Sequence, residues 1–167
     1  MSKYYLVAKS KNSEDFEIIK FRENEIYSNG NDVLERCFNL EKIDLFTSRF
    51  HTEEKLRKMV EMVKEKGMMN DAIFQCSIVS YLKTIKKYAP NARIWYLRDT
   101  YDSGVISKAK EVGAEAVNIN YVNVDQNVIN ELHNANLRVG VYVIPSTKVK
   151  EKFLTYKADY IMSNKPV

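Results

Sequence analysis

Cysteine, histidine, tryptophan, proline and glycine are all scarce in this chain, and the shortages exclude whole classes of protein. The two cysteines, Cys37 and Cys76, have no paired spacing, which provides neither a zinc site nor a disulfide framework. Two reduced, mostly buried thiols in a cytoplasmic protein are the expectation. His51 and His133 are the only histidines; a helix cap follows the first, and the second falls late in a predicted helix. No run approaches the roughly 18 apolar residues that cross a bilayer, so no membrane association is expected. Met1 to Leu6 carries no signal-peptide core or cleavage site. Charge of one sign is also lacking: 26 Lys+Arg against 22 Asp+Glu give +4, too little to indicate nucleic acid. Three prolines and five glycines, against abundant Lys, Asn, Ile and Tyr, fit an AT-rich coding genome without identifying the host; a bacterial or phage origin is a separate expectation.

What is present describes an ordinary globular chain. Its 167 residues make one domain, or a domain with a small appendage, large enough for a real core. Hydrophobic and charged residues stand at 45% and 29%, a globular balance. The positive excess lies late: residues 1–50 carry 8 basic and 9 acidic groups, and residues 51–167 carry 18 and 13. A surplus of that size fits solvated helix faces, and would also suit a small anionic ligand.

The stretch from Asp71 to Pro90 organises the rest. Ala72 to Ser77 is an apolar run of strand length. Ile78, Tyr81, Leu82, Ile85 and Tyr88 then share one helical face, with Lys83, Lys86 and Lys87 opposite. Pro90 stops that helix, and Ala92 to Leu97 is a second strand. Strand, helix, turn and strand make a βαβ unit, which calls for a parallel sheet.

The unit repeats. Val105, Ile106, Ala109 and Val112 mark a helix that Gly113 closes. Ala116 to Asn120 is the next strand, and Asp125 caps a helix with Val128, Ile129 and Leu132 inward. Leu137 to Ile144 is the fourth strand, Lys148 to Tyr156 the fourth helix, and Ala158 to Met162 a last short strand-like run. Strand starts recur at about 20 to 24 residues, the rhythm of compact βα repeats. Trp95 and Tyr96 alternate across their strand, so one is expected in the core and one outward.

Residues 1–50 read as a small β-rich segment, distinct from the repeats of 51–167. Tyr4 to Ala8 and Phe16 to Phe21 flank a polar loop of hairpin character. Asn24 to Tyr27 adds a third strand before the Asn29-Gly30-Asn31 turn, and Asp32 caps a short helix with Val33, Leu34, Cys37 and Phe38 inward. Ile43 to Thr47 reads as another strand. A longer helix then runs to Lys66, with Leu56, Met59, Val60 and Val63 inward and Gly67 at its end.

From His51 to Val167 the chain resembles the C-terminal half of the glycerophosphodiester phosphodiesterases, which are TIM barrels. Ile73-Phe74-Gln75-Cys76-Ser77, Leu82 and Ala89-Pro90 fall on that family's fifth strand and helix. Asn136 to Pro145 is similar to its last strand, and Lys157 to Pro166 to its ending. The resemblance implies an α/β fold, a partial TIM barrel of parallel βα repeats. It also implies catalysis by a divalent metal held on carboxylates, with acid/base histidines, all in the half that this chain does not match. Tyr142 and Pro145 stand where the family has an active-site Trp and Asn, and Cys76-Ser77 where it has Ser-Phe.

No catalytic and no metal-binding residue is therefore assigned, and no cofactor is expected. Gln75, Asn118, Asn120 and Tyr142 fall at or near the C-terminal ends of strands, where such barrels place their sites. They are candidates for a polar ligand such as a phosphate or a sugar hydroxyl, or else ordinary strand-end polar groups. Arg98 and Asp99 are expected to form a local ion pair. Two classes of function follow. One is a non-catalytic binding or regulatory protein, such as an accessory factor of a mobile element. The other is a metal-dependent phosphodiester hydrolase whose missing ligands come from another chain on oligomerisation, or from unrecognised positions such as Asp99, Asp102 and Asp125. A pure interaction scaffold stands behind both. A half barrel leaves one sheet face to be covered. The N-terminal segment folding across it is the local solution and a second copy the symmetric one; Phe21, Phe46 and Phe50 are few for the first, so a homodimer is the expectation of the two.

Overall fold

The computed structural model describes residues 4–10, 16–22, 53–65, 67–70 and 72–163. Two compact units divide the chain, residues 1–93 and 94–167. In the first, β1 (Tyr4–Ser10) and β2 (Phe16–Arg22) form an antiparallel hairpin in register from Tyr4↔Arg22 to Ser10↔Phe16. These are the two β-rich runs of the sequence. The expected third strand, the Asp32-capped helix and the strand at 43–47 lie outside the described residues.

Helix α1 (Glu53–Glu65) buries Leu56, Met59, Val60 and Val63, the face anticipated from their spacing. Its first turn carries Glu53 and Glu54 and its last turn Lys64, each of the sign that suits the helix dipole. Strand β3 (Ile73–Cys76) and helix α2 (Val79–Tyr88) follow, with Leu82 and Ile85 buried. Pro90 prevents further helix, and the Lys86 ammonium donates to the carbonyls of Pro90 and Ala92 at 3.1 and 2.8 Å. On the surface the Glu53 carboxylate accepts from Lys87 and from the Tyr88 hydroxyl, at 2.6 and 2.7 Å.

The second unit alternates strictly. Strand β4 (Arg93–Arg98) begins at the boundary, followed by α3 (Val105–Glu111), β5 (Ala116–Asn120) and a 3-10 turn (Tyr121–Asn123). Helix α4 (Gln126–Asn134), β6 (Arg138–Ile144), α5 (Thr147–Thr155) and β7 (Tyr160–Ser163) complete it. Its strands β4, β5, β6 and β7 pair in parallel in that order and form a sector of a β/α barrel. Sequence neighbours are sheet neighbours, as helical crossovers of this length require.

Register assigns the faces. Trp95 pairs with Ala116, Leu97 with Asn118 and Arg98 with Ile119; Asn118 pairs with Gly140, and Asn120 with Tyr142. Ile94, Tyr96, Val117, Ile119, Val139 and Val141 therefore share one face and are buried, as are Ala109, Ile129, Leu132 and Phe153 on the helices. Trp95, Leu97, Asn118, Asn120, Gly140 and Tyr142 share the other. On that face the Trp95 ring lies 4.3 Å from the Tyr160 ring, centroid to centroid. Three ladder spacings separate their strands, roughly 14 Å on a flat sheet. Their meeting shows that the sheet curls around this side, as a barrel wall does.

Trp95 and Tyr96 differ from expectation, because both are buried, at 7% and 1% exposure. Alternation does send them to opposite faces, but in a curled parallel sheet both faces are covered. Tyr96 lies with the buried residues on the helix side, while Trp95 packs on Tyr160 and donates its indole N–H to Glu115 at 2.9 Å.

Among the described residues, four helices end in the same turn. Gly67, Gly113, Asn136 and Lys157 have φ of 66°, 61°, 59° and 63°. Each stands two residues past its helix. Each N–H bonds the carbonyl three residues back, and the following N–H reaches five back, as in Ala114 to Ala109 and Leu137 to Leu132. This is the Schellman closure, which satisfies the last carbonyls of a helix and turns the chain into the next strand. At the other end of α4, the Asp125 side chain accepts from Val128 N–H at 2.9 Å, as the sequence predicted.

Candidate ligand site at the strand ends

The C-terminal ends of β4, β5 and β6 converge on one polar cluster. Asp99, immediately after β4, accepts from Asn120 Nδ2 at 3.0 Å on its carboxylate, and from Asn123 Nδ2 at 2.8 Å on its backbone carbonyl. Asn120 ends β5, and its Oδ1 also accepts from Val122 N–H at 3.4 Å, initiating the 3-10 turn. Tyr142 on β6, paired with Asn120 on β5, donates its hydroxyl to the Arg98 carbonyl at 3.1 Å. Burial raises the Tyr142 phenol above its ordinary pKa, and the negative charge of Asp99 adds to the shift.

Deeper on the same face, Asn118 is 1% exposed and donates from Nδ2 to the Met162 sulfur at 3.6 Å. Gly140 stands beside it; a Cβ there would lie 2.8 Å from Asn118 Oδ1. Gly140 therefore makes room for the amide. Gln75 lies half-buried on β3 in the first unit. Of the four residues singled out in the sequence, Asn118, Asn120 and Tyr142 share one face of the second unit. Asp99 as the hub, and Asn123 as its second support, were not assigned those roles from sequence. The repeated spacing in Asn118-Ile119-Asn120-Tyr121-Val122-Asn123 was the available signal.

Arg98 forms its ion pair with Asp102, at 2.9 Å, and not with the adjacent Asp99. The following turn explains the choice: Asp102 Oδ1 accepts from Gly104 N–H at 2.8 Å, which points Oδ2 back at the guanidinium. The Gly104 N–H, offset partly by burial, holds the Asp102 carboxyl below its usual range, with Arg98 adding. Further out, the Tyr101 hydroxyl donates to Glu131 at 2.7 Å, and burial with that carboxylate pushes its pKa up to about 12. The His133 ring lies 2.8 Å from Asp159, whose same oxygen accepts from Val139 N–H. That pair sits at the N-terminal strand ends, away from the cluster.

These residues do not fit a divalent cation. A hard cation of the calcium or magnesium type takes about six or more oxygens, with carboxylates free to supply at least one or two of them. Here Asp99 is engaged by Asn120, and both oxygens of Asp102 are engaged by Gly104 and Arg98. Among the described residues, no three His, Cys, Asp or Glu side chains are grouped to hold a metal. Nor, among them, is any helix long and apolar enough to cross a membrane.

No protein-family model matches the sequence, and no curated protein matches it significantly. Solved structures do match the fold. A Galdieria sulphuraria protein assigned as a glycerophosphodiester phosphodiesterase superposes with a TM-score of 0.67 at 18% identity, over 72% of this chain and 52% of its own. The Parabacteroides distasonis glycerophosphodiester phosphodiesterase gives 0.63 at 15%, over 95% and 78%. An Oleispira antarctica phosphodiesterase, solved with its product sn-glycerol-3-phosphate, gives 0.63 at 18%, over 68% and 47%. The chain spans about half the length of the first structures it matches. Its parallel βα repeats have the fold of part of the TIM barrel found in glycerophosphodiester phosphodiesterases.

Proposed function

We propose that this chain is a binding or regulatory protein built on the phosphodiesterase fold, which holds a small polar ligand at the strand ends without hydrolysing it. The cluster around Asp99 carries the reading. It consists of two side-chain amides, a phenol and one carboxylate, tied together across three strands. Such groups exchange hydrogen bonds with hydroxyl and phosphate oxygens. A metal-assisted displacement needs instead a cation held on oxygen ligands and a group to protonate the leaving alkoxide.

The experiment is a calorimetric titration with sn-glycerol-3-phosphate, glycerol and inorganic phosphate, beside a turnover assay on glycerophosphocholine with added calcium or magnesium. Binding of at least one probe is expected, weakened up to about tenfold in Asn120→Ala, the worth of one net hydrogen bond. No turnover is expected. Hydrolysis that disappears with chelator would overturn the proposal and favour a hydrolase whose metal ligands lie elsewhere.

We also propose that the protein is a homodimer. Among the described residues β7 ends the strand order, and all four of its residues are only partly buried. An edge strand offers its backbone as a template for pairing, and a two-fold contact is the simplest closed solution. Light scattering at micromolar concentration is expected to give twice the 19.5 kDa chain mass; a monomer would refute the assembly.

A further inference from the structure

Strand β6 carries one residue more than its neighbour requires. Val141 pairs with Ile161 and Ile144 with Ser163, so β6 takes three steps where β7 takes two. The surplus is absorbed at Val143, whose φ is 63°. A β-branched residue in the left-handed region is a true outlier, and such strain tends to persist at functional positions. Packing of the side chain does not hold it there, since Val143 is 41% exposed, whereas Ile144 is 2% exposed. In a regular strand Val143 would turn to the helix side and Ile144 to the concave face. Immediately before the bulge stands Tyr142, whose hydroxyl spans β5 to reach the Arg98 carbonyl.

We propose that Val143 is a positioning residue: its bulge bends the end of β6 so that the Tyr142 hydroxyl lies over Asn120, against the Arg98 carbonyl and beside Asp99. Bulges increase local twist and re-aim neighbouring side chains, and they recur next to binding sites. Tyr142 is thereby the group that the strand end presents to a ligand, an assignment that rests on the binding role proposed above. Arg98, already paired with Asp102, leaves Asp99 as the nearest charge to the phenol.

The test needs no ligand. Ultraviolet titration of tyrosine ionisation, taken as the difference between each protein and its Tyr142→Phe counterpart, isolates this phenol. In the wild type it is expected above the ordinary tyrosine value. Val143→Gly and Val143→Asn favour positive φ and are expected to keep it there. Deleting Val143 removes the surplus residue while leaving Tyr142 and Ile144 on their present faces. Val143→Pro fixes φ near −65°, which also excludes the bulge. Both are expected to return the phenol to its ordinary range. Should neither fold by circular dichroism, a glycine inserted after Met162 supplies β7 with the matching residue and carries the same expectation. A raised phenol that survives loss of the bulge, or one lost in Val143→Gly, overturns the proposal. Failure of every probe to bind while the Tyr142 signature behaves as stated would sink the binding role alone.

Discussion

Phe153→Ala is expected to destabilise the protein by about 3–5 kcal/mol, the usual cost of emptying a fully buried aromatic site. Phe153 is 0% exposed and meets Tyr156 edge-on at a centroid distance of 5.8 Å. Its carbonyl also accepts from Ala158 N–H at 3.0 Å in the turn that leads to β7. A cavity at this point removes contacts from α5 and disturbs the start of the next strand together. Domains are typically stable by about 5–15 kcal/mol, so the loss is a large fraction of the total. Urea unfolding followed by circular dichroism should show a lower midpoint with an unchanged slope. Phe153→Leu, which keeps most of the volume, is expected to cost about half as much or less. A Phe153→Ala protein within about 1 kcal/mol of wild type would contradict the packing described for the second unit.

Gly140→Ala is expected to cost about 1–3 kcal/mol, through overpacking and not through backbone conformation. Its φ is not in the left-handed region, so alanine meets no backbone objection. The obstacle is the Asn118 side chain, whose Oδ1 and Cγ would lie 2.8 and 3.2 Å from the new methyl, with Met162 Cε at 3.4 Å. Asn118 is short and buried, with little freedom to retreat. Asn118→Ala should therefore relieve much of the Gly140→Ala cost, leaving a coupling of about 0.5–3 kcal/mol in a double-mutant cycle. Additive losses would show that the amide does not occupy the space beside Gly140.

The sequence spelled out most of this architecture because local signals agree with one another. Leu56, Met59, Val60 and Val63 fall at helical spacing and are buried together, and Gly67 and Gly113 stop their helices with positive φ. Asn136 and Lys157 make the same turn without glycine's signature, so their role emerges only from backbone geometry. Trp95 and Tyr96 are both buried where one is expected outward, because alternation reveals which face a residue takes, not whether that face is covered. Arg98 was paired with the nearest carboxylate in sequence, whereas the Gly104 N–H orients the more distant Asp102 toward it. The bulge at Val143 was illegible for another reason. It depends on a count of paired residues between two strands, which neither strand carries alone. At the candidate site, the residue types and their strand-end positions were readable. The hub role of Asp99 was not, because it arises from two amides meeting one residue in space.

The repeated Schellman closure gives the second unit an uneven tolerance for change. After α3, α4 and α5 the return to the next strand is short and fully hydrogen-bonded, so an inserted residue there would break two bonds and shift a strand by one position. The connections leaving the strands are not standardised. Asp99 to Gly104 is an open turn held by Asp102, Tyr121 to Asn123 is a 3-10 turn, and Ser146 caps α5 directly after β6. One rim of the sheet behaves as a fixed chassis and the other as an exchangeable fitting. Descendants of this chain can diverge in what they recognise by rewriting the second rim, while the first keeps every strand in step.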